Sequence, residues 1–396
     1  MRILFAPDSF KGSLSSEEVI RLLTKTAQKV FPDCECIGIP VADGGEGTVD
    51  AVVAATGGSI RKVKVHGPLM EEVEACYGVF GGDHAVVEMA EASGLPLVPE
   101  GKRNPLYTTT YGTGELIKDA LDHGYRKITI AIGGSATNDG GIGAMTAIGI
   151  KFLDETGRSL AGTGEDLSRI KTIDVSSIHP AVSESEFTVM CDVTNPLTGP
   201  EGATLTFGRQ KGASPEIQEK LEADMKNYAV LLTEIAGTDI NSIPGSGAAG
   251  GLGAALKVFL HANMKSGIET VLDLIEFDKR LEGVDLVVTG EGRIDWQSAF
   301  GKVPSGIGQH CKNFGIPAIA ITGGMGDGAE KIFEFGIESI MPTINQAMKL
   351  EEAIERAEEL FRGAAERSFR MIRVGMQLNQ VYRIDSEMVH INSNME

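Results

Sequence analysis

Apolar positions along this chain follow two rhythms, one helical and one alternating, and the places where the rhythm changes mark its organisation. Residues 3–6 form a short continuous apolar run, which predicts a buried strand. Ser15 and Glu18 then form a capping-box pair, and Val19, Leu22, Leu23 and Ala27 recur on one helical face, predicting a helix through about Val30. A second strand at 36–40 and a second helix at 49–56 repeat the unit, which is how an α/β layer begins. From about Ser59 the period drops to two. Residues 61–66, 74–80 and 85–89 alternate apolar and polar positions around turns at Gly67-Pro68 and Gly81-Gly82, predicting an antiparallel patch with one wet face. Further on, the apolar run 127–132 feeds a glycine loop at 133–143, residues 187–191 read as a strand, and 215–236 as a long helix. Near Val284 the α/β style returns: strands at 285–288 and 318–321, each followed by a glycine loop and a helix, then a strand at 337–341 and a charged helix from Leu350 to about Ile372. The predicted fold is α/β, with a discontinuous domain made of residues 1–61 and 276–373, an inserted mixed α/β domain at 62–275, and a tail at 374–396 that has no clear period.

A chain of 396 residues exceeds one ordinary core, in keeping with two domains. Composition adds a constraint on partners. The formal charge of −19 argues against nucleic acid or an anionic membrane, so an anionic substrate needs a local cation. Five cysteines, at 34, 36, 76, 191 and 311, include no C-x-x-C pair and fit free thiols in a cytoplasmic protein. No segment has the apolar length of a membrane span or a signal peptide. A homo-oligomer is compatible with all of this. The 50 glycines cluster in short loops after apolar runs, the pattern of many tight βα turns or of backbone approaching a ligand.

Those loops carry the candidate chemistry. Gly133-Gly134-Ser135-Ala136-Thr137-Asn138-Asp139 follows a strand and opens a helix, where free N–H groups and the helix dipole favour an anion. A tight turn capped by Ser135 or Asp139 accounts for the same residues without a ligand. Asp8 and Lys11 follow the first strand, at the carboxyl end where open α/β sheets bind ligands. Asp43-Gly44-Gly45-Glu46-Gly47 sets two carboxylates among glycines, suited to Mg²⁺ or to a helix start. Gly245-Ser246-Gly247-Ala248-Ala249-Gly250 matches G-x-G-x-x-G without a buried strand before it, so either phosphate contact or close helix packing explains it. Asp192 and Asn195 follow the 187–191 strand, with Arg209 and Lys211 downstream as positive charge; an Asx turn is the plainer account of the first two. Gly290-Glu291-Gly292-Arg293-Ile294-Asp295 through Gly301-Lys302 is the densest group, with two carboxylates and two cations after a buried strand. It is not a Walker A loop, because Val303 follows Lys302.

Together these stretches resemble the bacterial glycerate kinase family of the type that forms 2-phosphoglycerate. Pro7-Asp8-Ser9-Phe10-Lys11-Gly12-Ser13, residues 42–48, Thr110-Tyr111-Gly112-Thr113-Gly114-Glu115-Leu116-Ile117, 133–141, 191–196, 245–251 and 290–302 carry the likeness in order, over about 1–372. Ser298 stands where the family pattern has Thr. The resemblance implies ATP- and Mg²⁺-dependent phosphorylation of D-glycerate, and two domains, one Rossmann-like and discontinuous, with the active site between them. Phosphoryl transfer then assigns candidate roles. Asp295, and after it Asp192, orient or deprotonate the hydroxyl. Asp8, Lys11, Arg293, Lys302 and Asn195 bind substrate. Gly133, Gly134, Ser135, Asn138, Gly245, Gly247 and Gly250 meet the nucleotide. Asp43, Glu46, Asp139 and Glu291 hold metal. Two other readings stay open: a nucleotide-dependent hydroxyacid oxidoreductase, resting on the G-x-G-x-x-G match, and a non-enzymatic glycerate or nucleotide sensor, for which the chain shows no partner module.

Overall fold

The computed structural model describes residues 1–299 and 301–393, which divide into two compact units: Met1–Val41 with the chain from Glu276 onward, and Ala42–Ile275. The first unit ends at Val41, whereas the sequence pattern carried its opening segment to residue 61. The loop and helix after Val41 pack with the second unit, because the start of helix Thr48–Thr56 is tied by its Val49 N–H to Glu88 Oε1, 2.7 Å away.

The first unit holds a five-stranded parallel sheet in the order Ile337–Pro342, Ala318–Met325, Leu286–Ile294, Arg2–Pro7, Glu35–Gly38. Its three central strands carry continuous apolar runs, as a sheet covered on both faces requires. Helix Ser16–Val30 forms with the capping box predicted: Ser15 Oγ accepts from the Glu18 N–H and Glu18 from the Ser15 N–H. It packs beside the helix Ala357–Ser393, whose Phe361 and Phe369 meet Phe10 and Phe5 in a shared core. The charged helix expected from Leu350 is broken at Arg356 into Leu350–Glu355 and Ala357–Ser393. The second piece runs through the stretch expected to be an irregular tail, since residues 374–393 contain no proline and one glycine to interrupt it.

The second unit holds a six-stranded mixed sheet in the order Asn263–Lys265, Glu186–Met190, Lys127–Ala131, His84–Glu88, Glu72–Phe80, Ser59–His66. The first four strands are parallel and the last three form the antiparallel patch predicted from their alternation. Lys62–Glu74 and Lys64–Glu72 pairs, at 2.7 and 2.8 Å, line the exposed face beside the edge strand, where charge discourages pairing with another chain. The opposite face is buried in the unit's core with helices Tyr111–Asp122 and Pro215–Ala236. Among the described residues no helix is long and apolar enough to cross a membrane.

Candidate active site

In the second unit the four parallel strands deliver their carboxyl ends to one rim. Glu88 ends one strand, the glycine loop follows Lys127–Ala131, Asp192 follows Glu186–Met190, and Ser266-Gly267 follow Asn263–Lys265. The Asp43–Glu46 loop closes on them. Asp192 Oδ1 accepts from the Gly267 N–H at 3.0 Å, and a Cβ on Gly267 would overlap the Asp43 carbonyl oxygen while lying 2.9 Å from Asp192 Oδ2. Gly44, at φ +86°, backs onto the same point: its Cβ would stand 3.0 Å from the Gly267 Cα. Glycine is required at both positions by this approach of one backbone to another. Asp43 and Asp192 are thus brought together, with Glu46 exposed on the same loop.

Glu88 was missed by sequence reasoning. Burial pushes its carboxyl up to about 7, against the hydrogen bond from Val49, with Glu91 and Asp50 adding repulsion. Its one sequence signal was a charge closing an apolar strand.

The glycine loop is held open at its lip and packed behind it. Gly133 and Gly134 are exposed; Ser135 is 8% exposed. On either side of Ser135 the loop is pinned to its neighbour, the Leu95 N–H donating to the Gly134 carbonyl and the Ala136 N–H to the Ser93 carbonyl, each at 2.9 Å. Behind it Lys211, only 2% exposed, donates to Ser135 Oγ and to the Thr137 carbonyl, both at 2.7 Å. In the sequence Lys211 was visible only as positive charge downstream of Asp192 and Asn195; its burial and its place behind this loop were not.

Several expected ligands turn out to be internal supports. Asp139 is wholly buried. Its Oδ2 accepts from the Thr110 N–H and hydroxyl at 2.8 and 2.7 Å, and its Oδ1 from the Gly141 N–H at 2.9 Å. That satisfies the carboxylate without a metal and ties the loop to the start of helix Tyr111–Asp122. Asn138 is equally buried and donates through Nδ2 to Thr204 Oγ1 at 3.0 Å. Gly245, Gly247 and Gly250 are buried too. A Cβ on Gly247 or Gly250 would overlap the carbonyl of Pro196 or Thr137, and one on Gly245 would lie 3.1 Å from that of Val193. Close packing of backbone accounts for the glycines of this motif. Asn195 donates to the Glu201 carbonyl at 2.7 Å and, through its own carbonyl, receives the Gly247 N–H, so it helps hold the same packed turn.

In the first unit Asp8 directly follows strand Arg2–Pro7 and Glu291 lies within the neighbouring parallel strand Leu286–Ile294, one residue past the Pro7–Gly290 pairing, and both are 8% exposed. The Asp8 N–H donates to the Gly290 carbonyl at 2.9 Å, and Asp8 Oδ1 accepts from the Ser9 N–H. Beyond Gly292, the exposed Arg293 pairs with Asp295 at 3.2 Å. Ser298 Oγ accepts from the Asp295 N–H at 3.3 Å and so braces that turn, work that a hydroxyl of either Ser or Thr can do. Trp296, 52% exposed, donates its main-chain N–H to the Asp327 carbonyl. Lys11 is exposed on the loop after the first strand, and Lys302 sits at the N-cap of helix Val303–Phe314. A separate concavity of about 700 Å³ lies at the amino ends of Glu186–Met190 and Asn263–Lys265, and none of the assigned residues lines it.

The sequence model of the glycerate kinase family matches residues 3–373. The chain belongs to the glycerate kinase family. Among its relatives, the glycerate kinase of Halalkalibacterium halodurans is 45% identical over 92% of this chain and 96% of its own, and the Escherichia coli glycerate 2-kinase 44% identical over 95% and 99%. A crystal structure described as a glycerate kinase 2 from Salmonella typhimurium LT2 superposes with a TM-score of 0.86 at 44% identity, covering 95% of this chain and 99% of that one. The fold and the kinase class of this glycerate kinase family member are thereby settled. ATP is the co-substrate that kinase membership implies. The oxidoreductase reading rested on a glycine motif that packs against backbone, and membership of a kinase family favours neither it nor the sensor reading.

Proposed function

We propose that the enzyme transfers the γ-phosphoryl group of ATP to the C2 hydroxyl of D-glycerate, forming 2-phosphoglycerate. The observation that carries the choice of hydroxyl is the 44% identity to the Escherichia coli glycerate 2-kinase over 95% of this chain. Phosphoryl transfer depends on positioning and charge stabilisation more than on covalent work by the protein. In the second unit the exposed lip at Gly133 and Gly134, with Ser135, takes nucleotide phosphate. Among the described residues no three His, Cys, Asp or Glu side chains gather into a metal cage. Mg²⁺ needs less, one or two carboxylates beside substrate phosphates, and Asp43 with Asp192 at Gly267 fits that donor set. When bound, Mg²⁺ supplies charge neutralisation to the phosphates. In the first unit Asp295 orients the glycerate hydroxyl and accepts its proton, while Arg293 and Lys11 attract the carboxylate; Asp192 is the second candidate for the proton.

Phosphorus NMR without proton decoupling tests the product directly. An ester on C2 couples to one carbon-bound proton and gives a doublet; an ester on C3 couples to two and gives a triplet. A triplet, or ADP release that does not depend on D-glycerate, overturns the proposal.

A further inference from the structure

Lys211 is a buried cation with no carboxylate in contact. It is the one lysine or arginine buried among the described residues, and its ammonium donates only to the Ser135 hydroxyl oxygen and the Thr137 carbonyl, each at 2.7 Å. A charge withdrawn from water and matched by two neutral oxygens is costly unless something nearby completes it. The fold secures the arrangement: Gly212 follows at φ +93°, where a Cβ would overlap the Arg103 carbonyl, so the turn presenting Lys211 has one way to run.

The hydrogen-bond directions decide what Lys211 does. An ammonium can only donate, so Ser135 Oγ is the acceptor in that bond and the hydroxyl proton must point elsewhere. Among the described residues nothing receives that proton. On the outer side of Ser135 stand Gly133 and Gly134, exposed, whose main-chain N–H groups also donate to no described residue. Three donors therefore share one lip, and the cation behind them has no carboxylate in contact. That is the donor set of an anion site.

We propose that Lys211 is a positioning residue of the phosphate site: by holding Ser135 Oγ as an acceptor it turns the Ser135 hydroxyl outward to join the Gly133 and Gly134 N–H groups on an anionic phosphate of the nucleotide. This rests on the reading of the loop as a phosphate site. Without its charge Lys211 can accept from Ser135 instead, the hydroxyl turns inward, and the lip loses a donor. Burial brings the amine down to about 7, with Asp139 the charged group near enough to oppose it; Tyr228, also beside Asp139, is kept neutral by burial. The protonated form binds the anion, and the anion in turn favours the protonated form. Phosphate affinity is consequently greatest below the Lys211 pKa and falls as pH rises through it.

Calorimetric titration of the full-length enzyme with ADP, from about pH 6 to about pH 9, tests this. The parent is expected to lose affinity several-fold as pH rises through the Lys211 pKa and then to level off, beyond the titration of ADP itself. Lys211→Met and Ser135→Ala should both bind several-fold more weakly at low pH and lose that extra slope, and the double variant should be no weaker than either single one. Ser135→Ala removes one hydroxyl and keeps the fold, so it reads the proposal even if Lys211→Met does not fold. If both variants bind ADP like the parent at every pH, the loop is not a phosphate site and the proposal fails with that reading. If Ser135→Ala weakens binding but keeps the parental slope, the loop reading survives and the role of Lys211 is overturned.

Discussion

Gly267→Ala separates stability from activity in this enzyme. An added methyl would overlap the Asp43 carbonyl oxygen and stand 2.9 Å from Asp192 Oδ2. Neither neighbour is a flexible side-chain end that can swing aside: one is main chain, and the other is held by its bond from the Gly267 N–H. The Asp43–Glu46 loop must therefore move outward, taking with it the Gly44 contact on the same Cα. Overpacking of this kind costs about 1–3 kcal/mol, and replacing glycine at the first position of helix Gly267–Leu274 returns up to about 1 kcal/mol of helix propensity. The net loss is about 1–2 kcal/mol, a few degrees in melting temperature for a unit of this size. Displacing catalytic groups by about 1 Å, in contrast, costs about a hundredfold in rate. Thermal unfolding and glycerate-dependent ADP release, measured on the same preparation, should show a small thermal shift beside a collapse in kcat. A variant with near-parental kcat would refute the assignment of Asp43 and Asp192 to the reacting region.

Asp295→Asn keeps shape and should fold normally and bind nucleotide, with kcat reduced by at least about a hundredfold; turnover within a few-fold of the parent transfers the role to Asp192. Arg293→Ala breaks an ion pair that is exposed and worth at most about 1 kcal/mol, so unfolding should not change, while KM for glycerate rises more than KM for ATP; an equal rise in both contradicts the assignment. Glu88→Gln tests a pH dependence. The folded pKa of Glu88 is raised to about 7 from an ordinary carboxyl value near about 4.3, so its contribution to stability is present below about pH 4 and is lost as pH rises through 7. Denaturant unfolding at a series of pH values should give a shallower decline over that window in the variant, and identical declines would show that Glu88 titrates normally.

The elements were legible where the apolar period was long or the caps were local. The capping box at Ser15 and Glu18, the alternating patch after Ser59 and the helix at Pro215–Ala236 all formed as read. Side-chain direction was less visible. Asn138, Asp139, Gly245, Gly247 and Gly250 lie in motifs that sequence cannot distinguish from ligand contacts, because a glycine spared of a Cβ for backbone packing looks like one spared for phosphate. Glu88 and Lys211 were underrated for the opposite reason. Their interest comes from burial, and burial of a charge is decided by partners far away in sequence, Val49 for one and Ser135 for the other.

The chain contains a single tryptophan, and the fold places it one residue beyond Asp295. Trp296 is half in water, on a turn fastened to Asp327 and close to Gly328, where a Cβ would come within 2.9 Å of its own. Excited at the red edge of protein absorption, where tyrosine is dark, the whole enzyme emits from this one indole. Its unmodified fluorescence is therefore a local signal from the Asp295 turn. A shift of emission to shorter wavelength, or loss of quenching by an added solute, on addition of substrate reports dehydration at that turn and at no other place in the molecule.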